Sequence, residues 1–375
     1  MAERIDALAD RLPGLEPRWR RAFHDVPRHL FVPDRAWRHS SAGDGHPIDR
    51  AADPEAWLAA VYSDAAIITQ FDDGAVEVTL GQGRYTSSTS APRIVAAELA
   101  LLDPYDGDEV LEIGTGTGWT AALLAHRLGP DRVTSVEIDP AVLATAEENL
   151  RRAGRPVRTV LGDGAKGWPD LAPYDRVHVT CGVSDVPHAW VEQARPGAVL
   201  VMPWMPRFEG GHFVRLVAVG DGTAVGRFHG TVNFMPLRSQ RWSRPRVQDA
   251  YRTSDLCLDP RRVVRESPGA GIAISALLPD LHGSHRQGAN GEFELSLWSA
   301  DSEAQVTRPA GPPGGVAAQR GPRDLWQELA TAFLRWVAWG APGMERFGLT
   351  VTPTGQHIWL DAPHQILTRP PTGTG

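Results

Sequence analysis

The chain has 375 residues, of which 42% are hydrophobic and 22% charged, enough for two domains or for one large domain with an elaboration. A net charge of −7 argues against a general nucleic-acid binder, and two cysteines, Cys181 and Cys257, can neither build a disulfide framework nor offer metal-ligand spacing. No run approaches the ~18 apolar residues of a membrane span, and the charged start MAERIDALADRL lacks a signal-peptide core, so a cytoplasmic location is expected.

In chain order, residues 1–38 predict a helix followed by VPRHLFVP (26–33), where two prolines impose an extended path. Residues 39–56 are polar and turn-rich and read as a surface loop. YTSSTSAP (85–92) then sets five hydroxyl side chains in a row, which taken alone reads as a polar linker. From residue 93 helical periodicity leads to the apolar strand EVLEI (109–113), and strands and helices alternate as far as GAVLVMPW. That alternation predicts an α/β fold, a parallel sheet covered on both faces. Residues 212–232 read as a hairpin around Asp221-Gly222. The remainder, 236–375, has an arginine-rich stretch (238–265), short strands such as GEFELSLWSA, a Pro/Gly-rich segment (307–322), a helix over 324–340 and a final hairpin. It predicts a smaller C-terminal α+β region.

VLEIGTGTGW (110–119) carries the clearest chemistry. An apolar strand enters Gly114-Thr115-Gly116-Thr117-Gly118 and a helix starts at once, so the backbone can turn sharply and approach a ligand closely. The spacing is one residue short of the dinucleotide fingerprint. Glu112, just before the loop, would sit badly beside a pyrophosphate and suits a cationic cofactor such as S-adenosylmethionine. Glu137, followed by Ile138, ends the next strand where a ribose-binding carboxylate belongs. Asp163-Gly164 ends the one after, suited to an adenine amino group. The bland alternative is that the glycine turn is only a tight connection.

VPRHLFVP, YSDAA (62–66), TSSTSAP, VLEIGTGTGW and PYDRVHVTCGVSDVPHAWVEQARPGAVLVMP (173–203), in that order, resemble the protein-L-isoaspartate O-methyltransferase family over residues 18–220. The resemblance implies a class I methyltransferase fold, Rossmann-like and doubly wound with an antiparallel terminal hairpin. It also implies methyl transfer to a carboxylate, with S-adenosyl-L-homocysteine as product. The family's hydroxyl motif falls on Ser88, Ser90 and Pro92, its acid on Asp64, and Thr180 falls beside the methionine portion of the cofactor. The implied division is a substrate-binding segment at 1–92, a cofactor-binding core at 93–235 and a C-terminal region at 236–375 suited to peptide binding.

Three departures shift the expected substrate: about two dozen extra residues between Trp37 and Val61, a longer approach to the hydroxyl run, and about 140 further C-terminal residues. They resemble an actinobacterial branch found with ribosomal peptide natural products of the graspetide, lanthipeptide and lasso-peptide kinds. Members of that branch methylate an ordinary aspartate of a cyclised precursor peptide, and the ester then closes to an aspartimide that can open to isoaspartate. The alternatives are isoaspartyl repair and a non-catalytic precursor-binding or cofactor-binding protein.

A carboxylate with pKa near ~3.9 is ionised at neutral pH and needs no general base. It needs desolvation and alignment, for which neutral hydroxyl donors serve. Ser88 and Ser90, with Thr89, are thus expected to grip the acceptor. Asp64 holds either a backbone amide of the acceptor, the cofactor's amino group, or a helix end. Eight arginines against three aspartates over 238–265 could dock an acidic peptide or simply form a solvated face. His282 and His285 read as loop residues without metal partners, and the tryptophans of 325–339 as core.

Overall fold

The computed structural model describes residues 1–40, 43–208, 210–244, 247–265, 267–311 and 314–368. Ser41 and Ala42 of the expected surface loop, Arg246 and the Arg265 side chain of the arginine-rich stretch, and Pro312 and Pro313 of the Pro/Gly-rich segment lie outside the described residues. Two compact units result. The first comprises Met1–Cys181, Pro187–Met202 and Val217–Gly222, and the second Gly182–Val186, Pro203–Leu216 and Thr223–Gly375.

The first unit opens with two helices, α1 (Ala2–Ala9) and α2 (Pro17–Asp25), where one was expected. Pro13-Gly14 divides them, with Gly14 at φ +71°. A single 3-10 turn at Arg28–Leu30 follows. Next come β1 (Arg35–Arg38), β2 (His46–Asp49), α3 (Pro54–Val61), β3 (Ile67–Phe71) and β4 (Tyr85–Thr89), the strands forming a sheet in the order β2-β1-β3-β4. The expected surface loop at 39–56 therefore contains a strand and the start of a helix. Pro47 hides the strand from a pattern reading yet is tolerated because β2 is an edge strand. Asp53 caps α3, accepting from the Ala56 amide at 2.9 Å. The hydroxyl run is no linker either: it is β4, with Ile67 opposite Thr89 and Ile68 opposite Ser88.

Then follow α4 (Pro92–Leu102), β5 (Val110–Ile113), α5 (Trp119–Leu128), β6 (Val133–Glu137), α6 (Pro140–Arg152), β7 (Arg158–Leu161), β8 (Tyr174–Val179), α7 (Ala189–Glu192) and β9 (Ala194–Trp204). Strands β9-β8-β5-β6-β7 run parallel in that order, the α/β fold that the alternating pattern implies. All residues of β5 and β6 are buried, as a sheet covered on both faces requires. Asp139 caps α6 with bonds from the Ala141 and Val142 amides, and Gly154 at φ +65° ends it. Trp19, Phe23, Trp57, Val95, Leu99 and Trp119 share one core.

Because β5 is flanked by β6 and β8, the chain reverses its direction of winding at β5, and ligands in such sheets sit at the carboxyl ends of the strands there. Gly114, Glu137, Gly162-Asp163 and Thr180 all leave those ends.

The second unit carries the expected hairpin, β10 (Gly211–Ala218) and β11 (Ala224–Val232), followed by β12 (Arg252–Asp255), α8 (Pro260–Arg265), α9 (Pro268–Leu277), β13 (His282–Gln287), β14 (Phe293–Trp298), β15 (Glu303–Arg308), β16 (Val316–Arg320), α10 (Leu325–Ala338), β17 (Phe347–Thr352) and β18 (Gly355–Leu360). The final hairpin joins the first in the order β18-β17-β11-β10. The other five strands form an antiparallel sheet, β12-β16-β15-β14-β13. His282 and His285 lie on strand β13 rather than in a loop; His282 is buried and stacks 3.9 Å from Trp242. Trp326 and Trp336 are core residues, as expected. Among the described residues no helix is long and apolar enough to cross a membrane, and no cluster of His, Cys, Asp and Glu could hold a metal.

Candidate active site

The glycine loop owes its course to backbone conformation. Gly114, Gly116 and Gly118 sit at φ +92°, +54° and +86°. A Cβ on Gly114 would stand 2.6 Å from the Thr180 hydroxyl, and one on Gly116 3.4 Å from the Ser88 carbonyl oxygen. The loop thus lies directly against β4. Thr117 secures that contact by bonding the Thr89 hydroxyl at 3.0 Å, while Thr89 donates to the Phe31 carbonyl at 3.3 Å.

Glu137 accepts from the amides of Gly116 (3.0 Å), Ile138 (2.9 Å) and Asp139 (3.1 Å), so its carboxylate is fixed at the loop. Asp163 spends Oδ1 on the Ala165 amide at 3.0 Å, and Ile138 and Leu161, at the ends of β6 and β7, are exposed. Gly164 is buried, and a Cβ there would meet Ile113 at 2.6 Å. Thr180 donates to the carbonyls of Gly114 (2.5 Å) and Ile113 (3.1 Å), keeping its oxygen lone pairs free to accept from an ammonium group.

Two expected roles change. Glu112 is fully buried on β5, not facing a ligand: Ser135 donates to it at 2.6 Å and His178 Nδ1 lies 3.4 Å away. The strand alternation that aims Ile113 toward Gly164 turns Glu112 to the other face. Thr115 also points inward, 2.7 Å from the Ser135 hydroxyl. Since the one Ser135 proton goes to Glu112, Thr115 donates to Ser135.

Along β4 the hydroxyls alternate. Thr86 donates to Gln70 at 2.8 Å, whose amide donates to Asp139 at 3.1 Å; Ser87 is buried and accepts from Thr69; Thr89 is buried on Phe31 and Thr117. Thr89 therefore spends its hydroxyl inside the fold, whereas Ser88 and Ser90 are both half-buried. Asp64 serves a helix end: Oδ1 accepts the Arg93 amide at 3.0 Å in the first turn of α4, and Oδ2 pairs with the Arg93 guanidinium at 3.2 Å. Cys181 is no nucleophile, since desolvation pushes its thiol up to about 12.

Residues 48–242 match the family described as protein-L-isoaspartate(D-aspartate) O-methyltransferase. The chain belongs to this family. It is 34% identical over 218 residues to the protein-L-isoaspartate O-methyltransferase of Pyrococcus horikoshii, covering 58% of this chain and 83% of that one. It is 42% identical over 164 residues to the protein-L-isoaspartate O-methyltransferase of Methanopyrus kandleri, covering 42% of this chain and 70% of the other. A solved structure named protein-L-isoaspartate O-methyltransferase shares the fold with a TM-score of 0.55 at 21% identity, over 96% of this chain and 99% of its own. The enzyme is thus an S-adenosylmethionine-dependent carboxyl O-methyltransferase.

Three further residues hold the elements around the glycine loop and the hydroxyl strand together: Arg28, Gln70 and His178. Arg28, near the start of VPRHLFVP, is buried and donates to the Ala65 carbonyl before β3 and to the Ser90 carbonyl after β4. Its signal was visible, a lone charge between Pro27 and an apolar run. Gln70 and His178 carried none, because their partners lie 69 residues away on Asp139 and, for His178, on Glu98 and Glu112. In the second unit the arginines are largely committed locally: Arg261 pairs with Asp259, and Arg244 and Arg320 with Glu303.

Proposed function

We propose that this enzyme methylates the free carboxylate of an L-isoaspartyl residue in a peptide or protein, with Ser88 and Ser90 as its hydrogen-bond donors. What supports this reading above all is the seating of the glycine loop against Ser88, since a methyl donor held by that loop would lie near the hydroxyl strand. The names of the relatives add to it. S-adenosylmethionine would supply an electrophilic methyl group, held by the glycine loop, Glu137, Asp163 and the Thr180 oxygen. Ser88 and Ser90 donate to the carboxylate, orienting one oxygen without neutralising it. No side chain has to remove a proton, since the acceptor is already an anion at neutral pH.

Each hydrogen bond to a charged group is worth about 1.5–3 kcal/mol. Ser88→Ala and Ser90→Ala are therefore expected each to lower kcat/KM about 10- to 150-fold, with cofactor affinity unchanged by calorimetry. Thr89→Val should instead lower the melting temperature, because its hydroxyl is bonded within the fold. Full activity in Ser90→Ala would refute the donor role.

A second reading has its own support. The β3–β4 hairpin, longer than the family's short approach, would suit an ordinary aspartate in a cyclised ribosomal peptide, whose ester then closes to aspartimide. Mass spectrometry on an isoaspartyl peptide, its aspartyl isomer and a cyclised precursor separates the two. Methylation of the isoaspartyl peptide supports the first reading. Gain of a methyl group followed by loss of methanol on the cyclised substrate alone establishes the second.

A further inference from the structure

Arg28 is 1% exposed, and its guanidinium donates to five backbone carbonyls: Val61 at 2.6 Å, Ser63 at 3.3 Å, Ala65 at 2.8 Å, Thr89 at 3.1 Å and Ser90 at 2.8 Å. Its plane lies 5.3 Å from the Trp119 ring. Two segments far apart in sequence are thereby pinned together, the turn carrying Asp64 and the end of the hydroxyl strand. Every one of these partners is a neutral carbonyl, and none is a carboxylate. Arg93, three residues beyond Ser90, is already committed to Asp64.

A buried cation hydrogen-bonded only to neutral carbonyls, with the Asp64 carboxylate acting on it from beyond bonding distance, keeps a net field in the low-dielectric interior. That field reaches the end of the hydroxyl strand, where the guanidinium bonds the carbonyls of Thr89 and Ser90. Neutral hydroxyls favour a carboxylate over the corresponding amide only through the greater strength of charge-assisted hydrogen bonds, and a buried positive charge adds to that preference.

We infer that Arg28 is a specificity-determining residue: from beneath the acceptor loop, its buried charge selects a carboxylate over a carboxamide while its hydrogen bonds set the positions of Ser88 and Ser90. The inference rests on the reading that places the acceptor at Ser88 and Ser90. Arg28 does not touch the reacting atoms; it acts through the field and through the loop.

The test uses the full chain saturated with S-adenosyl-L-homocysteine and two fluorescent hexapeptides, one isoaspartyl and the other with that carboxyl as its amide. Equilibrium binding gives their affinity ratio. A unit charge several ångströms from a carboxylate, at an effective dielectric constant of about 20, is worth about tenfold or more in binding. Wild type is expected to prefer the carboxylate, Arg28→Gln to lose about tenfold of that preference, and Arg28→Lys to keep it while binding both peptides more weakly. A merely structural role would weaken both peptides equally, so an unchanged ratio in Arg28→Gln overturns the inference. Should Arg28→Gln fail to fold, a lost preference in folded Arg28→Lys overturns it equally. Absence of any preference in wild type also overturns it, and methyl transfer to the same isoaspartyl peptide then shows whether the substrate reading survives alone.

Discussion

Gly114→Ala is expected to weaken S-adenosyl-L-homocysteine binding about a hundredfold in isothermal titration calorimetry. Gly114 sits at φ +92°, where a side chain costs about 1–2 kcal/mol. The added Cβ would also stand 2.6 Å from the Thr180 hydroxyl. The Thr180 hydroxyl must then give up its bond to the Gly114 carbonyl, at about 1–3 kcal/mol for the group left unpaired, while the Ile113 carbonyl keeps the Thr180 amide at 2.9 Å. Both costs fall on the loop that has to meet the cofactor. Gly154→Ala is the control. Its φ of +65° imposes the same backbone cost, but nothing lies within 4 Å of the added atom and the site is remote, so stability should fall slightly and affinity not at all. Equal affinity losses in the two variants would mean that general backbone strain, not the crowding of Thr180, governs the site.

His178→Leu should produce the largest loss of stability. His178 on β8 is fully buried between Glu98 of α4, 3.7 Å away, and Glu112 of β5, 3.4 Å away. The network runs on through Ser135 to Thr115 in the glycine loop. Removing the imidazole strands two buried carboxylates, which costs about 3–5 kcal/mol. At this domain size that is a fall in melting temperature of roughly 10 °C. The Glu98→Leu/His178→Leu double variant should recover part of it, because a packed apolar group replaces an uncompensated charge.

The same cluster makes stability depend on pH. The two carboxylates raise the His178 pKa from 6.5 to about 9 despite the opposing cost of burial. The folded state therefore holds this proton more tightly than the unfolded chain. Its stabilisation is fully present below pH 6.5 and fades as pH rises through about 9. Thermal melts between pH 6 and 10 should show that decline in wild type and a flatter profile in His178→Leu; parallel profiles would assign the decline to other groups.

The parallel core was legible because its signals are local. Strand and helix periods alternate along residues 109–204, the glycines announce a turn that only they can make, and acidic residues close successive strands. Those signals single out Glu137 and Asp163 as candidate cofactor ligands without any knowledge of the neighbours. The hydroxyl run was ambiguous for the opposite reason. Whether Ser88 through Ser90 form a linker or a strand depends on Ile67 and Ile68 pairing with them and on Gly116 approaching their backbone. Glu112 was misplaced because sequence proximity to the glycine loop says nothing about which face of the sheet a side chain takes.

The sequence by itself therefore determined the α/β class and the cofactor loop, since both follow from backbone periodicity and from residue types within a few positions of one another, while the type of reaction came from the resemblance to a family. Only the tertiary structure decided which hydroxyls are free and which are spent, and it alone brought Arg28 under Ser90 and His178 between Glu98 and Glu112. Those are long-range choices: a buried charge is stable only where distant backbone dipoles or opposite charges converge on it, and that convergence exists only once the chain has folded.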